Sequence, residues 1–446
     1  MKKITHIAIL ILTLQHFSCE ITEVNVDPDN PATVNASVVY PGMITQTHRN
    51  LVALNGRIAG IVIQHFDGLD AQQAQYAQYN IGESDIDDAW DFGLYGAGTL
   101  TDCDYIIKNF SGEVSALAKL YMAANLGFAT CTWGDIPYTE AFEAQSTGNL
   151  TPVYDSQEDI YNTIQTLLDE ALADGVGNGV GGTIIGNVNW DETAHALKAR
   201  YYLHLTSVDP SAAQNALTEA QQALSEVSNQ PDFTFSLPAQ NSNPLYLFEF
   251  DRPSTLGFGT TLNNMMTGDP RLSLYTSNGQ DFTDGGLFWG QPNSPTPLIS
   301  YWEVKFIEAE ALVRTNGSDA DALTALQDAV AANMNYMGIS DPSSYVNALT
   351  LTGTTEQKIE IIITEKYKAL YGNAPIEAWV DYRRTGYPAL TPSPDAVPSL
   401  NPSLVIPRRF LYPITERLNN EANYTSAISA QGGHLLDDDL WAFPSN

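Results

Sequence analysis

The segment SQEDIYNTIQTLLDEAL constrains the fold most. Its apolar residues Ile160, Ile164, Leu167, Leu168 and Leu172 recur at three- and four-residue intervals, the spacing of a helix buried along one stripe. Ser156 stands just before the stripe with Asp159 three residues on, a capping-box-like start that satisfies free amides of the first turn. The pattern returns in EVSALAKLYMAANLG, DETAHALKARYYLHL, PSAAQNALTEAQQALS, SYWEVKFIEAEALVR, DADALTALQDAVAANMNYMG and TEQKIEIIITEKYKALYG. Each is a few turns long, and successive ones lie close enough to pair as hairpins. A hairpin with one apolar stripe can bury it only against its neighbours, so the pattern predicts an all-α, TPR-like stack.

The rhythm breaks between Glu226 and Pro297 into a stretch rich in Pro, Gly, Asn and aromatics (SNPLYLFEFDRPSTLGFGTT, FWGQPNSPTP), an insertion over about 226–299. It breaks again from Tyr387 to Arg408. Long irregular segments on a helical frame are expected to form a second layer, and binding residues concentrate in such loops.

At the other end, Lys2 and Lys3 precede an apolar run from Ile7 to Leu14, followed by Ser18 and Cys19. This is the layout of an export signal over residues 1–18, too short to span a bilayer. A cysteine directly after a small residue at such a cut is expected to be acylated, making Cys19 a lipid handle. Residues 19–36, including VNVDPDNPATVNAS, read as the lipidated cysteine and a tether, which leaves 37–446 as the folded body. Fifty-two acidic residues against twenty basic ones give a formal charge of −32. That balance argues against nucleic acid, and against polyanionic ligands unless a local patch departs from the mean. Cys103 and Cys131 lie in apolar, helical stretches and could either pair in an oxidising compartment or stay as buried thiols.

Signatures of catalysis are missing: there is no HExxH, GxSxG or Walker loop, and the seven histidines are scattered. GNGVGG (Gly177–Gly182) matches a dinucleotide fingerprint in letters only, since it follows a helix rather than a strand and reads as a helix–helix loop. Carboxylates are so numerous that pairs of the glycosidase kind arise by chance. ESDIDDAWD and LLDDDLW could ligate a structural calcium through clustered oxygens, but neither has EF-hand spacing, and solvated acidic turns explain them as well.

Aromatics on polar segments carry more information. Trp90 and Tyr95 in DDAWDFGLY, and Phe288, Trp289, Tyr301 and Trp302 around a Pro/Gly/Asn loop, have little core nearby in sequence. A sugar ring offers an apolar C–H face to such rings and hydroxyls to neighbouring Asp, Asn and Gln. Packing alone is the competing reading, especially for Tyr301 and Trp302 at a helix start.

Several motifs in order resemble the SusD/RagB-type nutrient-binding lipoproteins. They are WGDIPYTEAF (Trp133–Phe142), TPVYDSQEDIY, ARYYLHL, YWEVKFIEAEALVR, WVDYRRTGYP (Trp379–Pro388) and IPRRFLYPITERLNNEANY (Ile406–Tyr424), and the likeness runs from Cys19 nearly to the C-terminus. The resemblance implies one α-helical domain on about four TPR-like hairpins, lipid-anchored on the outer face of the outer membrane. It further implies a partner, a SusC-like TonB-dependent transporter, and a ligand that is an oligosaccharide or, in some members, a peptide. An exported glycoside hydrolase or a purely structural surface protein would be the alternatives. By the same resemblance the ligand residues transfer to Trp90, Tyr95 and Trp289 with its neighbours Phe288 and Tyr301, and Asp67 in HFDGLDAQ is a candidate for hydroxyl binding. The matched motifs themselves read as scaffold. Arg383, Arg384, Arg408 and Arg409 are expected to bind acidic side chains across helix and loop ends, and Pro137 and Pro413 to fix turns.

Overall fold

The structure is a computed structural model that describes residues 34–96, 98–177, 182–186 and 188–445. Cys19, the export signal, most of the tether and residues 178–181 of the glycine loop lie outside the described residues.

Helices make the frame: α1 (Ala36–Val52), α2 (Leu54–Val62), α3 (Thr99–Asn109), α4 (Glu113–Trp133), α5 (Gln157–Asp174), α6 (Trp190–His204), α7 (Ala212–Ala220), α8 (Tyr301–Arg314), α9 (Asp319–Tyr336), α10 (Thr355–Ala369) and α11 (Pro375–Thr385). They stack as TPR-like hairpins. Helix α4 packs along α3 and α5, α6 along α7, and α8 along α9 and α10, while α5 meets α6 and α7 meets α8. Helix α11 returns to pack on α2, so the last part of the frame contacts the first.

The stripe read from the sequence accounts for these contacts. Ile160, Ile164, Leu167 and Leu168 of α5 are buried, and Leu172 is half-buried against the same core. Ser156 caps the helix by accepting the Asp159 amide at 3.1 Å. Thr354 and Gln357 form a full capping box at the start of α10. Helix α4 differs: from Ser115 to Trp133 every residue but Lys119 is buried, so it is the central element and shows no polar face. Its Gly127 lies where any side chain would collide with the Tyr201 ring of α6, so glycine sets how closely these helices approach.

The insertion forms the second layer, with short strands that no period in the sequence announces. Strands β1 (Phe66–Gly68) and β3 (Leu256–Phe258) pair antiparallel, Phe66 opposite Phe258, and β2 (Asp232–Thr234) pairs with β4 (Pro295–Pro297). The first pairing fastens the insertion to the segment after α2.

The arginine-bearing motifs divide in role. Arg384 donates both Nη atoms to Glu310 at 2.5 Å and one to Asp381 at 2.7 Å, and Arg408 pairs with Asp439. Arg383 and Arg409 depart from the expectation of acidic partners. Arg383 lies 4.0 Å from the Trp379 ring centroid and donates to the Arg408 carbonyl, and Arg409 donates to the carbonyls of Trp133 and Gly433. Carbonyls and ring faces are what the surrounding chain offers there, and a guanidinium donates to the first and stacks on the second. Cys103 and Cys131 are buried free thiols, and burial pushes Cys131 up to about 12.

Candidate functional site

Trp90 is 1% exposed and lies at the centre of an aromatic cluster. Tyr95 is 4.6 Å away, Trp133 meets it edge-on at 5.1 Å and Tyr412 at 6.2 Å. With Tyr154 stacked on Trp90 at 6.5 Å, the cluster joins three of the matched motifs. Trp133 donates Nε1 to the Leu411 carbonyl, Tyr412 donates to the Asp135 carbonyl, and the half-buried Tyr95 donates to the Pro137 carbonyl at 2.8 Å.

Trp289 is likewise 1% exposed, packed on Phe288 at 4.8 Å and Tyr336 at 6.3 Å, with Gly372 pressed against its side chain. Phe288 and Tyr301 are half-buried. The Trp90 and Trp289 clusters share no aromatic neighbour, and neither tryptophan presents an open ring face.

The open aromatic of the first group is Phe92, 65% exposed, two residues and about half a turn beyond Trp90. Trp90 and Leu94, four apart, both face the core, which leaves Phe92 between them on the solvent side. It borders a cleft of about 160 Å³ with Gln46, Asn50, Asn55 and Asp88. Gln46 donates to Asn50, which donates to the Gly93 carbonyl, so this wall is held rigid. Asn55 is buried and neither atom of its amide has a partner among the described residues, an uncommon state for a buried polar group.

That cleft shares Leu54 and Asp88 with a larger one of about 580 Å³. Its walls are α2, the short helix Ala71–Ala77, the turn before Trp90, and the insertion helix Pro244–Asp251. Gln72, Asp85 and Asp88 line it with Arg57, Phe248 and Arg252. On the far side of β1, a third cleft of about 450 Å³ is lined by Asp67, Gln64, Tyr79 and Thr261. Asp67 itself accepts the amide and hydroxyl of Thr260, at 3.0 and 2.6 Å, and so starts a helix of the insertion. A fourth cleft of about 380 Å³ shares Leu69 with the third and includes Phe250, 64% exposed, whose ring stacks on Tyr246 at 5.7 Å.

Most carboxylates of the two acidic runs are committed to the fold, with Asp88 left exposed. Asp85 accepts from Gln72, Tyr76 and the Gly82 amide, and Asp87, its carboxyl raised by burial, accepts the Ile414 amide at 2.9 Å. Asp437 and Asp438 accept the amides of Ser403 and Leu435. Among the described residues no group of His, Cys, Asp or Glu is arranged to hold a metal ion, and no helix is long and apolar enough to cross a membrane.

The candidates read from the sequence did not include Phe92, Phe248, Arg57 or Asn55, which the structure places on these clefts. For Phe92 a signal existed, since the i, i+4 pair Trp90 and Leu94 already claims the core face. For Arg57 and Phe248 none did, because 191 positions separate them in the chain and only the tertiary fold joins them.

A family model described as "SusD-like_2: Starch-binding associating with outer membrane" matches residues 28–293 and 282–413. Among solved structures, the chain is similar to a chitin-binding protein, at 24% identity and TM-score 0.75 over 92% of this chain and 100% of the other. It is similar to a chitin-binding SusD homolog from Flavobacterium johnsoniae, at 19% and 0.76 over 92% and 99%. It is also similar to a SusD/RagB family protein from Bacteroides thetaiotaomicron, at 20% and 0.70 over 93% and 100%. No curated protein matches the sequence. The structural likenesses speak to the fold, and the family match covers most of the length: this chain belongs to the SusD-like family.

Proposed function

We propose that the protein is a surface nutrient receptor without catalytic activity. It captures an oligosaccharide in the clefts between Phe92 and the insertion helix Pro244–Asp251, and passes it to a SusC-like TonB-dependent transporter. Cys19, acylated after export, holds it to the outer face of the outer membrane. The observation that carries the reading is Phe92: an aromatic ring 65% exposed, on a rigid wall, beside the unpartnered amide of Asn55 and a run of polar clefts. Such a ring stacks on the C–H face of a sugar, and nearby amides and carboxylates take its hydroxyls. Asp67 supplies a hydroxyl acceptor in the adjoining cleft. Trp90 and Tyr95 form the bed behind Phe92, while Trp289, Phe288 and Tyr301 hold the insertion in place.

The test is calorimetry of the purified protein against a panel of oligosaccharides, with Phe92→Ala alongside. Saturable glycan binding that Phe92→Ala weakens about fivefold or more is the expected result, since stacking on an aromatic face contributes on the order of 1 kcal/mol. Glycan binding unchanged in the variant would move the site elsewhere, and hydrolysis of a glycan would overturn the receptor reading.

A further inference from the structure

Most described lysines and arginines sit against a carboxylate, as expected with acidic residues in such excess: Lys119, Lys198, Arg200, Arg271, Lys366 and Arg384 all do. Arg57 and Arg252 do not, and they share one cleft. Arg57 is only 8% exposed, yet among the described residues its single hydrogen bond runs from Nε to Gln73 Oε1 at 3.2 Å. Its guanidinium lies 3.6 Å from the centroid of the Phe248 ring, and that of Arg252 lies 5.1 Å from the same centroid. Two like charges are therefore held over one ring with no counter-charge supplied by the described chain. Burial first, and Arg252 in addition, lowers Arg57 to about 10, the mark of a cation short of compensation.

The carboxylates of the same cleft do not fill that gap. Asp85 is spent on Gln72, Tyr76 and Gly82, and Asp87 on Ile414, while Asp88 is exposed on the opposite element. A guanidinium offers a planar fork of N–H donors that matches an oxyanion two bonds at a time, and its unused Nη atoms open on a cleft large enough for a sugar ring.

We propose that this cleft is a subsite for the oxyanion of an acidic sugar, a uronate carboxylate or a sulfate ester, with Arg57 and Arg252 as its counter-charges. The proposal rests on the carbohydrate-capture reading and names the class of glycan: although Asp85, Asp87 and Asp88 also line the cleft, the two guanidiniums converge on the Phe248 ring and form no ion pair with any of them. Phe248 keeps the two guanidiniums oriented by their cation–π contacts, and Asp88 and Gln72 remain for the hydroxyls of the same residue.

The experiment uses pairs of oligosaccharides that differ in charge alone: uronate-bearing chains against their methyl esters, and sulfated chains against their desulfated forms, with acidic peptides as a third arm. Binding is read by calorimetry in the unaltered protein, in Arg252→Gln, which is exposed and leaves the core untouched, and in Arg57→Gln. The expected result is acidic glycan bound at least tenfold more tightly than its neutral twin, with that preference lost in both variants; which pair shows it separates carboxylate from sulfate. Equal binding of the twins, or a preference that survives Arg252→Gln, overturns the oxyanion subsite and leaves glycan capture standing. Binding of acidic peptides and of no glycan overturns both readings, as does the absence of any ligand.

Discussion

At the residue scale, Trp90 and Phe92 show how neighbours in one short segment divide the work. Trp90 touches Tyr95, Trp133, Tyr154 and Tyr412 and is closed to solvent, so its removal opens a cavity at the junction of three motifs. Trp90→Ala should lower stability by about 3–5 kcal/mol, read as a fall in the urea midpoint. Phe92→Ala should leave that midpoint within error, because its ring has little core to lose; loss of stability equal to that of Trp90→Ala would refute the assignment. Asp102 on α3 gives a pH test. Burial raises its carboxyl to about 6 from the ordinary value near 4, so its ionisation opposes folding. The stability it permits is full below pH 4 and is lost as pH rises through 6. Asp102→Asn should therefore melt higher than the unaltered protein at pH 7.5 and at the same temperature at pH 4, measured by scanning calorimetry.

At the element scale, the hairpin stack was legible because each helix carries its own instructions. The apolar stripe of α5, its Ser156 cap and the Thr354–Gln357 box of α10 are local in sequence, and local propensity and tertiary packing agree there. What holds separate elements together is less local. Arg384 of α11 grips Glu310 of α8 with both Nη atoms, Asp381 of α11 joins them, and Lys366 of α10 reaches Asp381 at 2.9 Å. Burial works against the Glu310 charge, but the guanidiniums of Arg384 and Arg314 outweigh it and hold the carboxyl far below its usual range. Arg384→Met would leave Glu310 with Arg314 alone and Asp381 with Lys366 alone, a loss of up to about 3–5 kcal/mol. Adding Glu310→Gln to that variant should recover part of the loss, and a double variant no better than the single one would count against the pairing. The strands of the insertion were not legible at this scale. Three residues give no alternation to read, and β1 (Phe66–Gly68) finds β3 (Leu256–Phe258) only across a long intervening stretch of chain.

At the scale of the whole molecule, a net charge of −32 sets a background of self-repulsion that the buried ion pairs only locally offset. Raising NaCl from about 10 mM to about 150 mM shortens the screening length from about 30 Å to about 8 Å, which relieves surface repulsion while sparing buried pairs. The melting temperature should rise over that range, and a fall would show that surface ion pairs dominate instead. The same contrast between average and local explains what could be read in advance. The sequence by itself determined the helical frame, because a stripe, a cap and a short connection each act within a few residues. It also determined the family, because ordered motifs survive as a string. It pointed to the aromatic segments, DDAWDFGLY and the insertion, but not to which ring in each stays open. Tertiary structure alone decided that Trp289 faces inward, and that Arg57 of α2 meets Phe248 and Arg252 of the insertion, while the outward turn of Phe92 had a local signal in the Trp90–Leu94 spacing that became readable only once those two were known to be buried. Burial and the pairing of charges are properties of distance in space, and a position in the chain carries them only once the fold has brought its distant partners to within a few ångströms.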